Sequence, residues 1–303
     1  MTSLSQNAYK VARKSNGFSI SFEAFPPMSE TGEQNLIDVA LDLEGFAPEF
    51  FSVTYGAGGS TRQRTFKTLA DLSQKTSHNL AGHLTCVGAT KSQTNAVAEN
   101  YRKMGLRRIV ALRGDTPAGQ DHYTPHPGGY KNAADLVAGL RQLGGFDISV
   151  GAYPESHPDS RSKTADLDNL QAKFEAGADR AITQFFFDNR IFYDFLDDAR
   201  NHGITGPIVP GILLIHDFWK VKRFAKMCQA DVPDWLEARF AGLENDVQAQ
   251  QLVAVSTAVE QVLDMAANGV RHFHFYTMNR SDLALAVCRS LGLKPATALQ
   301  SVA

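Results

Sequence analysis

Eight short runs of β-branched and aromatic residues recur along the chain, at residues 18–25, 50–54, 81–86, 108–112, 147–153, 180–187, 207–215 and 272–277, and nearly every one ends in a polar or charged residue. Between them, apolar side chains return at three- and four-residue intervals. Leu36, Ile37, Val39, Ala40, Leu43 and Phe46 set this pattern after the first run, the spacing of one buried helical face. Residues 65–73, 97–104, 133–143, 167–176, 191–199 and 218–227 repeat it, often closing near Gly105, Gly144, Gly177 or Gly203, where glycine commonly ends a helix. Strand followed by helix, eight times over, predicts an α/β fold, a (βα)8 TIM barrel of parallel strands with crossover helices. The last interval is longer. An element at 233–240 and a long helical pattern at 246–267 predict a helical insertion before the final strand, and a closing helix follows near 283–291.

Composition agrees with one large core. With 303 residues, 43% of them hydrophobic, residues 18–303 are expected to form a single barrel domain preceded by a polar extension, residues 1–17. A net charge of -2 with both signs intermixed provides no basic stripe for a nucleic-acid backbone. The N-terminus lacks the apolar core of a signal peptide, and no apolar run reaches membrane-spanning length, so a soluble, cytoplasmic protein with no membrane partner is expected. Cys86, Cys228 and Cys288 are far apart and unpaired in spacing, which suits buried small apolar groups better than a disulfide framework or a zinc site.

Parallel barrels carry their chemistry at the C-terminal rim, where the βα loops converge on rigidly held strand ends. The candidates there are Glu23, Thr54, His83, Asp115, Glu155 with His157, Gln184, and Tyr276 with Arg280. Glu23 lies between Phe22 and Phe25 and precedes two prolines, so desolvation beside apolar rings is expected to raise its pKa and fit it for general-acid work. The glycine-rich run TYGAGGSTRQRT (54–65) could offer backbone N–H groups to an anion, but it matches neither the P-loop nor the Rossmann fingerprint. His83, Glu155 and His157 lack metal-ligand spacing, and no metal is expected. Asp166, Asn169 and Lys173 recur at i, i+3 and i+7 on one helix face and so could share a ligand.

The runs SFEAFPP, VTYGAGGSTRQRT, HLTC, ALRGD, AYPESHP, DLDNLQAKFEAGADRAITQFFFD, PGIL and HFHFYTMNR, in this order, resemble methylenetetrahydrofolate reductases of the short bacterial type. The resemblance spans residues 18 to about 293. It implies a barrel holding FAD noncovalently, a homo-oligomer, and reduction of 5,10-methylenetetrahydrofolate to 5-methyltetrahydrofolate with electrons from NADH or NADPH, in one-carbon metabolism. Carried over position by position, it implies FAD contacts from Thr54, His83, Arg113, Gly114, Asp115, Ala133, Tyr153, His157, Asp166, Asn169 and Lys173. On the substrate side it implies Gln184, Phe224, Tyr276 and Arg280, with Glu23 and Asp115 catalytic. The run GGYKNAADLV departs from the family pattern, having Asn132 where a tyrosine is expected and Tyr130 two residues earlier. Only Ala133 matches there. The implied chemistry is ping-pong hydride transfer through flavin N5, Glu23 assisting opening of the folate five-membered ring and Asp115 tuning charge. The competing readings are another FAD-bearing barrel, such as a proline-dehydrogenase-like enzyme, or a folate- or flavin-binding protein without turnover.

Overall fold

The computed structural model describes residues 17–55, 62–116, 119–120 and 122–295. Apart from Gly17, the expected polar extension lies outside the described residues, as does the glycine-rich segment 56–61. Eight parallel strands close in sequence order into a barrel. They are β1 (Ser19–Ala24), β2 (Phe51–Val53), β3 (Leu80–Thr85), β4 (Arg108–Leu112), β5 (Asp147–Ala152), β6 (Arg180–Phe185), β7 (Ile208–Leu213) and β8 (His272–Tyr276). Around them run α1 (Glu30–Glu44), α2 (Arg62–Lys75), α3 (Lys91–Lys103), α4 (Ala133–Leu143), α5 (Lys163–Glu175), α6 (Asn189–Asn201) and α7 (Phe218–Cys228). The insertion before β8 consists of α8 (Asp234–Phe240) and α9 (Val247–Ala267), and α10 (Asp282–Ser290) closes the ring. The predicted (βα)8 TIM barrel and its helical insertion are both present.

Alternation along each strand decides what fills the barrel and what faces the helices. Phe22 and Phe275 point outward, fully buried with ring centroids 6.0 Å apart. On α1, Leu36, Ile37, Val39, Ala40 and Leu43 cover this layer, and the Ser29 side chain caps the helix by accepting from the Gly32 amide. A reciprocal capping box, Thr90 with Gln93, starts α3, satisfying donors that a helix start otherwise leaves unpaired. The insertion is packed firmly: Phe240 of α8 stacks on Phe218 of α7 at 4.5 Å with rings nearly parallel. Burying one such ring contributes about 2–3 kcal/mol. Positive φ at Gly105 and Gly203, just past α3 and α6, lets the chain turn back where a side chain would strain it.

Inside the barrel, polar groups share the space with Phe50, Ile182 and Val209. At the N-terminal mouth, Asp147 sits between Arg108, at 2.9 Å, and Arg180, at 3.0 Å. Burial would push the Asp147 carboxyl up, but Arg180 and then Arg108 hold it below its ordinary value. Among the described residues no helix is long and apolar enough to cross a membrane.

Candidate active site

The C-terminal rim opens into two adjoining cavities that share Glu23, Thr54, His83 and Tyr153. The inner cavity, of about 330 Å³, is mostly apolar, walled by Val110, Leu112, Ile182, Phe185 and Leu213, with Gln184, Phe224 and Tyr276 on one side. The outer cavity, of about 480 Å³, runs between β4 and α5 and is lined by polar groups, Arg113, Gly114, Asp115, His157, Asp166, Asn169 and Lys173 among them. Both sizes lie in the range of small-molecule sites.

Glu23 stands where the two meet. Its Oε2 lies 3.1 Å from His83 Nε2 on β3 and 3.3 Å from His274 Nε2 on β8. The His83 ring is near enough for an ion pair but is not aimed for a linear hydrogen bond. The raised pKa expected from the sequence is not what this environment gives. Burial does push the Glu23 carboxyl up, but His83 and His274 outweigh it and bring it down to about 2. Strand alternation explains the difference, because Phe22 faces outward and Phe25 is 42% exposed at the rim. The groups in contact with the Glu23 carboxylate are imidazoles.

Tyr276 is aligned with Glu23 across the β1–β8 ladder, and its hydroxyl donates to the Thr183 carbonyl at 2.6 Å. That carbonyl sits at an irregular stretch of the β6–β7 pairing. Gly211 permits the arrangement, since a Cβ there would lie 2.6 Å from the tyrosine ring and 2.3 Å from the Thr183 oxygen. Burial raises the Tyr276 phenol well above its ordinary value. Gln184 turns Oε1 back onto the Phe185 amide at 3.0 Å, leaving its NH2 toward the cavity wall. Phe224 on α7 stacks on Phe185 with centroids 5.5 Å apart, yet it is 40% exposed. A ring spent only on packing would be covered; this one presents a face to the cavity.

Lys173 is buried on α5, and its Nζ donates to the Gly151 carbonyl at 2.9 Å. Burial lowers its pKa to about 8, against the pull of Asp166. Asp166 itself accepts from the His157 amide at 3.1 Å, so the helix face and the β5 loop are tied together. The His157 ring meets Tyr153 edge-on at 4.6 Å. Arg113 donates to Asp159 at 2.6 Å and lies over the Tyr123 ring at 4.6 Å. Ala133 opens α4 against the outer cavity, with Asn132 as its cap, the side chain accepting from the Asp135 amide at 2.9 Å. Tyr130 instead donates to Asn95 at 2.7 Å, away from the cavities.

Two rim candidates are not gathered in. Arg280 pairs with Asp282 at 2.6 Å and lines neither cavity. Glu155 accepts from the Asp231 amide at 3.0 Å and is likewise outside both. Sequence reasoning passed over His274, which the period of two from Tyr276 would have placed inside the barrel. Asn132 was noted only as a departure from the family pattern, and Asp159 was passed over, local sequence giving no comparable signal for it.

Comparisons with known proteins agree with this geometry. A family model described as methylenetetrahydrofolate reductase matches residues 8–292. The 5,10-methylenetetrahydrofolate reductase of Salmonella typhimurium is 43% identical over 276 residues, covering 91% of each chain, and that of Escherichia coli K12 is 42% identical over the same length. A Clostridium thermocellum protein that binds two copies of 5-methyl-5,6,7,8-tetrahydrofolic acid shares the fold, with a TM-score of 0.58 at 14% identity over 96% of this chain and 98% of that one. Motif order, barrel and sequence identity together establish that this chain belongs to the methylenetetrahydrofolate reductase family.

Proposed function

We propose that this chain reduces 5,10-methylenetetrahydrofolate to 5-methyltetrahydrofolate with electrons from NADH or NADPH, using a noncovalently bound FAD, as a cytoplasmic homo-oligomer. The observation that carries the reading is the position of Glu23, a mostly buried carboxyl where an apolar, aromatic-flanked cavity meets a polar, cation-bearing one.

The residues of the outer cavity suit FAD. Thr85 Oγ1 is buried there with no hydrogen-bond partner among the described residues, and unpaired buried polar atoms cost stability unless a ligand completes them. Lys173 and Arg113 supply positive charge for phosphates, and Asp166 and Asn169 lie two turns and one turn before Lys173 on the same helix. Thr54, His83, Gly114, Asp115, Ala133, Tyr153 and His157 complete the cradle. When bound, the flavin supplies a two-electron carrier between nicotinamide and folate, chemistry that no side chain here provides.

The chain's own groups bind, orient and move a proton. Phe224 and the apolar wall exclude water and stack a flat ring. Gln184 offers its NH2 as a donor to the amide-like edge of a pterin. Glu23, once protonated, passes its proton to the ring nitrogen that leaves as the folate five-membered ring opens, and its negative form then steadies the cationic iminium. The reaction consumes one proton per turnover, so the carboxyl must be reloaded each time. Asp115 adds a second negative charge at the rim.

Half-reactions test this directly. In Glu23→Gln, NADH or NADPH should bleach the bound flavin near the wild-type rate, while reoxidation by methylenetetrahydrofolate falls by about a hundredfold or more. Near-normal folate turnover would remove Glu23 from its role, and a colourless protein that takes up no FAD would remove the reading itself.

A further inference from the structure

Beneath the inner cavity a hydrogen-bond chain runs down the barrel interior to its opposite mouth. His274 Nε2 faces Glu23 Oε2 at 3.3 Å. The other ring nitrogen, Nδ1, lies 2.7 Å from Ser21 Oγ, and the same hydroxyl lies 2.9 Å from His272 Nε2. Ser21 and His274 are fully buried. His272 is half-buried at the first position of β8, the N-terminal mouth. The sequence builds this column simply: Ser21 and Glu23 alternate inward on β1, His272, His274 and Tyr276 alternate inward on β8, and the register sets Ser21 beside His274.

A serine hydroxyl has one hydrogen to donate, so the chain has two polarities. In the first, protonated Glu23 donates to His274 Nε2, His274 Nδ1–H donates to Ser21, and Ser21 donates to a neutral His272. In the second, three hydrogens have each crossed one bond. Glu23 O–H breaks as His274 Nε2–H forms, His274 Nδ1–H breaks as Ser21 O–H forms, and Ser21 O–H breaks as His272 Nε2–H forms. The proton count is unchanged. Glu23 is left as a carboxylate, and His272 carries the positive charge.

The geometry points to His272 as a positioning residue that exchanges one proton with Glu23 through Ser21 and His274, so that ionisation at the mouth opposite the active site sets the charge of the acid. This rests on the reading of Glu23 as the proton donor to folate. Other side chains also face the column. His83 reaches the same Glu23 oxygen from β3, and the Tyr276 ring meets His274 edge-on at 5.3 Å. Phe50 packs against both His272 and His274. Arg108 lies over Phe50 at 5.6 Å and belongs with Asp147 and Arg180 to the ion cluster of that mouth. The two ends of the column thus lie in different surroundings.

The experiment is a titration of the FAD-loaded protein carrying 15N-labelled histidine, with the His272 signal assigned by its loss in His272→Gln. In Glu23→Gln the His272 midpoint should fall by about half a pH unit, roughly a threefold loss of proton affinity, and Ser21→Ala should remove that response. An unchanged His272 midpoint in Glu23→Gln would overturn the coupling. His272→Gln, altered at a half-buried mouth position, gives a second readout: the pH profile of flavin reoxidation by folate should shift, while reduction by NADH or NADPH stays as in wild type. Parallel changes in both half-reactions, or in neither, would reduce His272 to packing. A wild-type protein without folate turnover would defeat the proposed function instead, and the titration would still decide whether the column conducts.

Discussion

His274 stands one inward position below Tyr276 on β8 and points Nε2 at Glu23 Oε2 from 3.3 Å. With His83 on the other side, the carboxyl is held near 2 despite burial. This environment favours the carboxylate form of Glu23, so folate must supply the pull that places a proton on it as the ring opens. The depressed value also has a sign for stability. A carboxyl lowered in the folded state stabilises the fold above its unfolded pKa and loses that contribution as pH falls toward the folded value. The window here runs from about 4.5 down to about 2, and the contribution is at most about 3 kcal/mol. Urea midpoints of wild type should fall across that window, whereas those of Glu23→Gln should fall less steeply. Equal slopes would mean that the imidazoles do not hold the charge.

How much of this was legible in the sequence depends on which residues carried it. β4 and α4 are bounded as the apolar pattern predicts, because both elements have one wholly buried face. Helix starts were read late: α3 begins at Lys91, six residues before its first strongly apolar position, since polar first turns carry no periodicity. Period two places Glu23 and Tyr276 inside the barrel, but local sequence cannot say what stands across the interior from them. His83 and His274 come from strands 60 and 251 residues away, and they reverse the direction of the Glu23 shift. Resemblance to a family brought together the residues of the outer cavity; spacing alone linked only Asp166, Asn169 and Lys173.

Lys173 offers a test of the outer cavity. Its pKa, lowered to about 8 by burial, means that the free protein loses this cation as pH rises through that value. FAD affinity should then weaken above pH 8 in wild type and show no such step in Lys173→Met, which keeps the apolar stem. At pH 7 the variant should bind FAD about tenfold more weakly, the scale of one charge-assisted contact. Equilibrium dialysis of FAD at several pH values measures both effects. An affinity equal to wild type would show that Lys173 serves only to tie α5 to the Gly151 carbonyl.

Asp115 is exposed at the edge of the outer cavity, so its influence is electrostatic and partly screened. A negative charge beside the flavin opposes accumulation of negative charge on reduction. Asp115→Asn should therefore raise the flavin potential, speed reduction by NADH or NADPH and slow reduction of folate. An effect of about 1 kcal/mol corresponds to roughly 20 mV for a two-electron couple. A dye-linked potential titration reads this directly, and an unchanged potential would leave Asp115 as a contact group only.

Gly211 tests whether Tyr276 is fixed by the backbone beneath it. The tyrosine hydroxyl is committed to the Thr183 carbonyl, and its ring rests where a Cβ on Gly211 would intrude. Gly211→Ala must move the ring, the strand or both, because Thr183 contributes a backbone atom to the clash. The expected loss of stability is about 1–3 kcal/mol, the usual cost of overpacking. More informative is where activity goes. Tyr276 and Gln184 line the inner cavity and not the outer one that holds Lys173, so the alanine should raise the KM for folate several-fold while FAD content and reduction by NADH or NADPH hold steady. Combining it with Tyr276→Phe separates the causes: if the ring displacement is what matters, the two substitutions together should cost little more than Gly211→Ala alone, and fully additive losses would place the damage in the strand instead.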